Sequence, residues 1–241
     1  MKIVEAENLT KFFYLPHERV TSFKESASRL FRSSGYEKFT VLDGISFQVD
    51  KGEFLGVIGH NGSGKSTLLK ILSRIYLADM GRIRISGSIS PFLELGVGFN
   101  PELTARENIF LYGIVLGMKR KEIEAAYPRI ISFSGLHRFM DTKLKNFSSG
   151  MQVRLAFSVA IQADADVYLI DEVLAVGDIE FQKKCFQVFG GFKKKGKTVI
   201  FVSHDLISVK TYCDRTLWLN GGKIVDIGQT SRVINKYSQS S

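Results

Sequence analysis

The chain has few of the residues that would staple or anchor a protein by special means. Only two cysteines, Cys185 and Cys213, occur in 241 residues, far apart and without metal-ligand spacing. That argues against a disulfide framework and for a reducing compartment. The four histidines, His17, His60, His137 and His204, form no metal pattern. No apolar run is long enough to cross a bilayer, and the opening Met1-Lys2-Ile3-Val4-Glu5 lacks the apolar core of a signal peptide. A role at a membrane would therefore need a separate anchor. There is no internal repeat and no low-complexity tract. What is there has ordinary globular composition, 44% hydrophobic and 24% charged, which excludes wholesale disorder. A chain of this length buries roughly 70–75% of its unfolded surface in one large domain. The formal net charge of +9 suits nucleic acid, an anionic membrane surface or anionic ligands such as nucleotides, without choosing among them.

Hydrophobic periodicity predicts strands over residues 3–9, 44–49, 53–58, 81–86, 167–171 and 198–203, and a hairpin of 215–219 with 223–227 across Asn220-Gly221-Gly222. Helices are predicted over 106–118, 121–133, 149–163, 179–195 and 231–237. The alternation implies an α/β core. Residues 17–38 stand apart. Val20, Phe23, Ala27, Leu30 and Phe31 follow helical spacing while Arg19, Lys24, Arg29 and Arg32 take other positions, which reads as a basic amphipathic helix. It either packs on its own domain or serves an interface.

Gly59-His60-Asn61-Gly62-Ser63-Gly64-Lys65-Ser66-Thr67 fits G-x-x-x-x-G-K-[ST], the phosphate-binding loop. Glycines let the backbone aim several N–H groups at phosphate oxygens, and the following helix offers its positive end. Lys65 is expected to reach the β- and γ-phosphates and Ser66 to ligate Mg²⁺. An apolar strand before the loop and Leu68-Leu69-Lys70-Ile71-Leu72 after it supply the right context. A GTPase would need N-K-x-D, and the pair Asn235-Lys236 lacks the Asp. Val167-Tyr168-Leu169-Ile170 then ends in Asp171-Glu172. In a P-loop protein this is the Walker-B arrangement, with Asp171 beside the metal and Glu172 placed to polarise an attacking water.

With these residues in place, the sequence resembles the ABC ATPases over nearly its whole length. Phe147-Ser148-Ser149-Gly150-Met151-Gln152 is similar to the L-S-G-G-Q signature, with Phe for Leu, Ser for the first Gly and Met for Gln. His204 matches the switch histidine and Asp178 the D-loop aspartate. Phe13 falls where an aromatic stacks on adenine, with Phe12 or Tyr14 able to substitute. The resemblance implies a P-loop NTPase core with an antiparallel β lobe and a helical lobe, near residues 92–160, carrying the signature. It implies ATP and Mg²⁺ as ligands, and a homodimer in which Ser148, Ser149 and Gly150 cover the nucleotide held by the other copy. The usual Q-loop glutamine is missing. Its place falls near Glu94, which becomes a candidate for contact with metal-bound water.

Leu93-Glu94-Leu95-Gly96-Val97-Gly98-Phe99, the Ser148-Ser149-Gly150-Met151 variant and Glu172-Val173-Leu174-Ala175-Val176-Gly177-Asp178 are similar to one branch of that family, the exporters of polyprenyl-linked polysaccharides. Both O-antigen exporters of the Wzt type and teichoic-acid exporters belong to it. By this resemblance residues 1–241 form one nucleotide-binding domain, with the amphipathic insertion near the membrane interface and no room for the C-terminal carbohydrate-binding domain many members carry. It would sit peripherally on the cytoplasmic face of the inner membrane beneath a separate polytopic permease dimer, without nucleic acid. The docking surface is expected near residues 94 to 112, with Phe92, Leu95, Phe99, Phe110 and Tyr112 either as contacts or as core. Teichoic-acid or capsule export is the nearest alternative. A soluble ABC ATPase acting on ribosomes or nucleic acid is the more distant one.

Overall fold

The computed structural model describes residues 1–16, 36–92, 96–171 and 178–240. Two sheets form its frame. In the first, β1 (Lys2–Pro16) lies between β2 (Tyr36–Asp50) and β4 (Met80–Ile85), all antiparallel. In the second the order is β5 (Ile89–Phe92), β6 (Val167–Asp171), β7 (Thr198–Val202), β3 (Phe54–Ile58), β8 (Arg215–Asn220), β9 (Lys223–Gln229). Its first five strands run parallel and β9 antiparallel.

The unbroken apolar runs of β3, β6 and β7 follow from burial on both faces. Because successive side chains alternate, each strand feeds two cores. Leu55, Val57, Val167, Leu169, Ile200 and Val202 join the core shared with the antiparallel sheet and α1 (Lys65–Leu72), where Leu9, Leu42 and Leu68 are fully buried. Phe54, Ile58, Tyr168, Ile170, Val199 and Phe201 join the opposite core, made with the helices.

Those helices are α2 (Ala105–Val115), α3 (Arg120–Ser134), α4 (Ser149–Ala160) and α5 (Ile179–Lys194), followed by α6 (Leu206–Tyr212) and α7 (Thr230–Ser240). A capping box starts α2: the Thr104 hydroxyl accepts from Glu107 N at 3.3 Å while the Glu107 carboxylate accepts from Thr104 N at 2.8 Å. Ile109, Ile123, Ile130 and Leu155 knit α2, α3 and α4 into one layer. Among the described residues no helix is long and apolar enough to cross a membrane.

Two predicted strands prove longer. Residues 11–16 of β1 continue pairing with 36–42 of β2, so Tyr36, Glu37 and Lys38, assigned by sequence to the inserted helix, are strand. The rest of that insertion, including Arg19, Lys24, Arg29 and Arg32, lies outside the described residues. The α4 helix ends at Ala160 rather than 163. Phe92 closes β5 within the parallel sheet, so the helical layer begins beyond it.

Candidate active site

The centre of the site follows from the place of β3 in its sheet. Between β7 and β8 it is locked on both edges, and its carboxyl end opens directly into residues 59–64. Backbone shape there depends on glycine. Gly59 has φ 151°, and a Cβ would stand 2.1 Å from the Leu219 carbonyl oxygen. Gly64 caps α1 at φ 106°, in the left-handed region, where a Cβ would meet Leu42 and the Val41 carbonyl at 2.8 Å. The loop folds back on itself: Ser63 N donates to His60 O at 3.2 Å, and Gly222 N to Ser63 O at 3.2 Å. Lys65 is 7% exposed, and its ammonium donates to the carbonyls of Gly59 at 2.7 Å and His60 at 2.9 Å. A buried cation thus spans the loop next to the first turn of α1, where the amide N–H groups of a helix start and the helix dipole attract an anion.

Two further residues arrive from neighbouring strands. Asp171 ends β6 opposite Val202 of β7, and His204 follows β7 by two residues. Together with Asn61, Gly62, Gly64, Lys65, Ser66 and Thr67 they line one cavity of about 560 Å³. Its position, outside the carboxyl ends of parallel strands, is where open α/β sheets hold ligands. Among the described residues, Phe39 and Val41 of β2 complete its wall. Phe13 does not line the cavity. Its ring packs edge-on against Tyr76 at 5.7 Å, with the Lys11 ammonium 5.3 Å from its centroid. Phe39, its cross-strand partner, is 52% exposed and stands at the opening instead. Sequence reasoning missed Phe39 because only strand pairing brings it there.

Residues 148–150 are not part of this cavity. Ser148 caps α4 and accepts from Met151 N at 3.2 Å, and both Ser148 and Ser149 are exposed. Asp178 caps α5, accepting from Phe181 N at 2.8 Å and pairing with Arg154 at 3.3 Å. Glu94 and Glu172 lie outside the described residues. Cys185 and Cys213 take no part: burial pushes both thiols up to about 12, so neither is a nucleophile.

The aromatics expected to dock a membrane partner are mostly core. Phe92 and Tyr112 are 1% and 3% exposed, and Phe99 and Phe110 pack on the same cluster. Leu95 lies outside the described residues. Exposed apolar surface lies beside them, in a groove of about 250 Å³ lined by Ile75, Ile89, Pro91, Val97, Val115 and Leu116 over Tyr112.

The geometry has clear relatives. Residues 42–175 match the family model described as ABC transporter. The O-antigen export system ATP-binding protein RfbB of Klebsiella pneumoniae is 42% identical over 98% of both chains. The teichoic acids export ATP-binding protein TagH of Bacillus anthracis is 36% identical, over 98% of this chain and 42% of that protein. A solved ATP-binding cassette, in a dimeric post-hydrolysis state with ADP and Pi, shares the fold at a TM-score of 0.74 and 23% identity, covering 94% of this chain and 98% of that one. With that match over more than half its length, and relatives this similar from end to end, the chain belongs to the ABC transporter family.

Proposed function

We propose that this chain is the ATP-binding and ATP-hydrolysing subunit that powers export of a lipid-linked polysaccharide of the O-antigen kind, acting as a dimer on the cytoplasmic face of the inner membrane beneath a separate permease. The single observation that carries it is the convergence of the phosphate loop, Asp171 and His204 on one cavity. The choice of cargo rests on the likeness to the O-antigen export relative along nearly its full length.

In this reading Lys65 turns from the Gly59 and His60 carbonyls to the β- and γ-phosphates, and the first turn of α1 takes the same anion through its N–H groups. Phe39 offers its face to the base. Ser66 and Asp171 are hard oxygen donors on the same cavity, the kind of sparse protein set that holds Mg²⁺ together with substrate phosphates, so the residues fit that ion. Bound there, Mg²⁺ would offset charge on the transferring phosphoryl group. Glu172, next in sequence to Asp171, takes the role of orienting the attacking water, and His204 holds the γ-phosphate side of the cavity. The exposed Ser148 and Ser149, with the half-buried Gly150, cover the nucleotide of a second copy from the start of α4, with Asp178 at the same interface. Glu94 stands in for the Q-loop glutamine. The apolar groove over Tyr112 receives the permease.

The test is co-purification of the tagged chain from gently solubilised source membranes. A stoichiometric polytopic membrane protein is the expected companion. Recovery only in the soluble fraction, with ribosomes or nucleic acid, would overturn the transport reading and leave the ATPase chemistry standing.

A further inference from the structure

The first two turns of α7 are fastened to the hairpin beneath them. The Thr230 hydroxyl is buried; it donates to the Cys213 carbonyl at 2.9 Å and accepts from the Thr216 hydroxyl at 3.0 Å. Val233 and Ile234 are buried in the helical-side core, and Arg232 grips Asp226 with two hydrogen bonds of 2.9 and 2.8 Å. Seven residues on from Thr230, two turns along the same face, Tyr237 meets two rings. It stands edge-on to the Trp218 indole at 5.4 Å, and its centroid is 5.4 Å from that of the His60 imidazole. Trp218 is the register partner of Ile58, the last residue of β3 before the phosphate loop. His60 belongs to the loop itself, and its carbonyl accepts from both Ser63 N and the Lys65 ammonium.

We propose that Tyr237 is a positioning residue for the phosphate loop: α7 is a strut that fixes His60, and through it the loop backbone, in the shape that receives phosphate. The inference rests on the nucleotide reading given above. Entry of a triphosphate draws Lys65 off the Gly59 and His60 carbonyls, removing two bonds that hold the loop closed on itself. At that moment the shape of residues 59–64 rests on the Ser63–His60 and Gly222–Ser63 backbone bonds and on contacts from outside the loop. The glycine backbone cannot supply the shape by itself, because glycine accepts more backbone conformations than any other residue. A ring contact on His60, anchored through a helix that does not touch the nucleotide, supplies one such contact at no cost to the cavity. Tyr237 thereby acts on affinity rather than on the chemical step.

The experiment is calorimetric titration of the full chain with ATP in EDTA, which prevents turnover. The energy of an aromatic pair, where it acts on the bound shape alone, corresponds to about a five-fold change in affinity. His60→Ala and Tyr237→Ala are each expected to raise Kd by about that factor, while Tyr237→Phe, which keeps the ring, binds as the wild type does. The double variant is expected to bind no more weakly than the weaker single one, because both changes remove the same contact. In steady-state hydrolysis, KM rises and kcat holds. The His60 side chain is exposed, so its removal leaves the core untouched. Wild-type affinity in His60→Ala, or additive losses in the double variant, would overturn the strut. So would a Tyr237→Ala chain that melts earlier but binds ATP normally, since that is packing alone. Failure of the wild type itself to bind ATP would instead bring down the nucleotide reading, and the strut with it.

Discussion

The phosphate loop and the start of α4 are both helix N-termini rich in glycine and serine, yet they are built in opposite ways. At the loop, Ser63 and Lys65 are 3% and 7% exposed, Gly59 and Gly64 hold backbone angles that side chains resist, and a neighbouring strand presses on Gly59 through the Leu219 carbonyl. At α4, Ser148 and Ser149 are exposed, and a Cβ on Gly150 would have nothing nearer than the Ser148 hydroxyl at 4.0 Å. The first region is finished within one chain. The second is a helix start with open space in front of it. Strain and burial mark the half of the site that must be preformed. Openness marks the half that the proposed dimer would complete.

The largest effect tests that division directly. Lys65→Ala and Ser148→Arg are each expected to lower ATP hydrolysis by about 10²-fold or more, the first because it removes stabilisation of phosphate charge, the second because a long side chain at the start of α4 blocks closure over the nucleotide of a second copy. Ser148→Arg leaves ATP binding by the single chain unchanged, because residue 148 does not line the cavity. When the two inactive proteins are mixed, hydrolysis is expected to return to about a quarter of the wild-type level, because half the dimers are mixed and each has one intact site. A mixture as inactive as its components would mean that the α4 terminus does not serve a second copy.

A smaller change sharpens the contrast between the two glycines. Gly59→Ala puts a methyl 2.1 Å from the Leu219 carbonyl oxygen at a φ of 151°, so the loop or β8 must shift. We expect a loss of roughly 2–3 kcal/mol in unfolding free energy together with ATP binding. Gly150→Ala meets no such contact and has ordinary helical backbone. Its unfolding free energy should stay within about 0.5 kcal/mol of the wild type, while hydrolysis falls because a methyl stands where the second nucleotide would be covered. Chemical denaturation and phosphate release, run on the same samples, separate the two. Equal destabilisation by both would erase the distinction.

What was legible in the sequence divides along similar lines. The loop could be read residue by residue, because its chemistry is local: strand, glycines, lysine and helix follow one another without interruption. The strands β3, β6 and β7 were legible because burial on both faces writes a continuous apolar run. The strand β5 was missed. It has four residues with Pro91 inside, tolerable because it sits at the sheet edge, and edge position is not written in a short segment. The seven-residue α6 was missed for its length. Phe39 at the cavity mouth and Tyr237 against His60 depend on residues 26 and 177 positions apart from their partners in sequence, so no local pattern announces them. At Phe92 and Tyr112 aromatic character left docking surface and core both open, and packing makes them core.

The smallest effect concerns what holds each region at low pH. Ser148 caps α4 with a hydroxyl, which does not titrate in this range. The strut under the phosphate loop is fastened partly by charge. Burial opposes ionisation of Asp226, but the hydrogen bonds from Arg232 and then Lys236 outweigh it and hold the carboxyl below its usual range. A carboxyl whose folded pKa is depressed stabilises the fold above its unfolded value, about 3.9, and loses that contribution as pH falls through the lower folded value. Asp226→Asn should therefore cost stability at pH 7 and at pH 5, and progressively less as the pH drops below about 4. Arg232 is 54% exposed, so solvent screens the pair and the cost at neutral pH is only about 0.5–1 kcal/mol. Urea melts of the wild type and the variant across that range read the difference. A gap that stays constant down to pH 3 would show that α7 is fastened by packing and the Thr230 hydrogen bonds alone. The strut would then be as indifferent to acid as the α4 cap, and the two regions would differ in burial but not in charge.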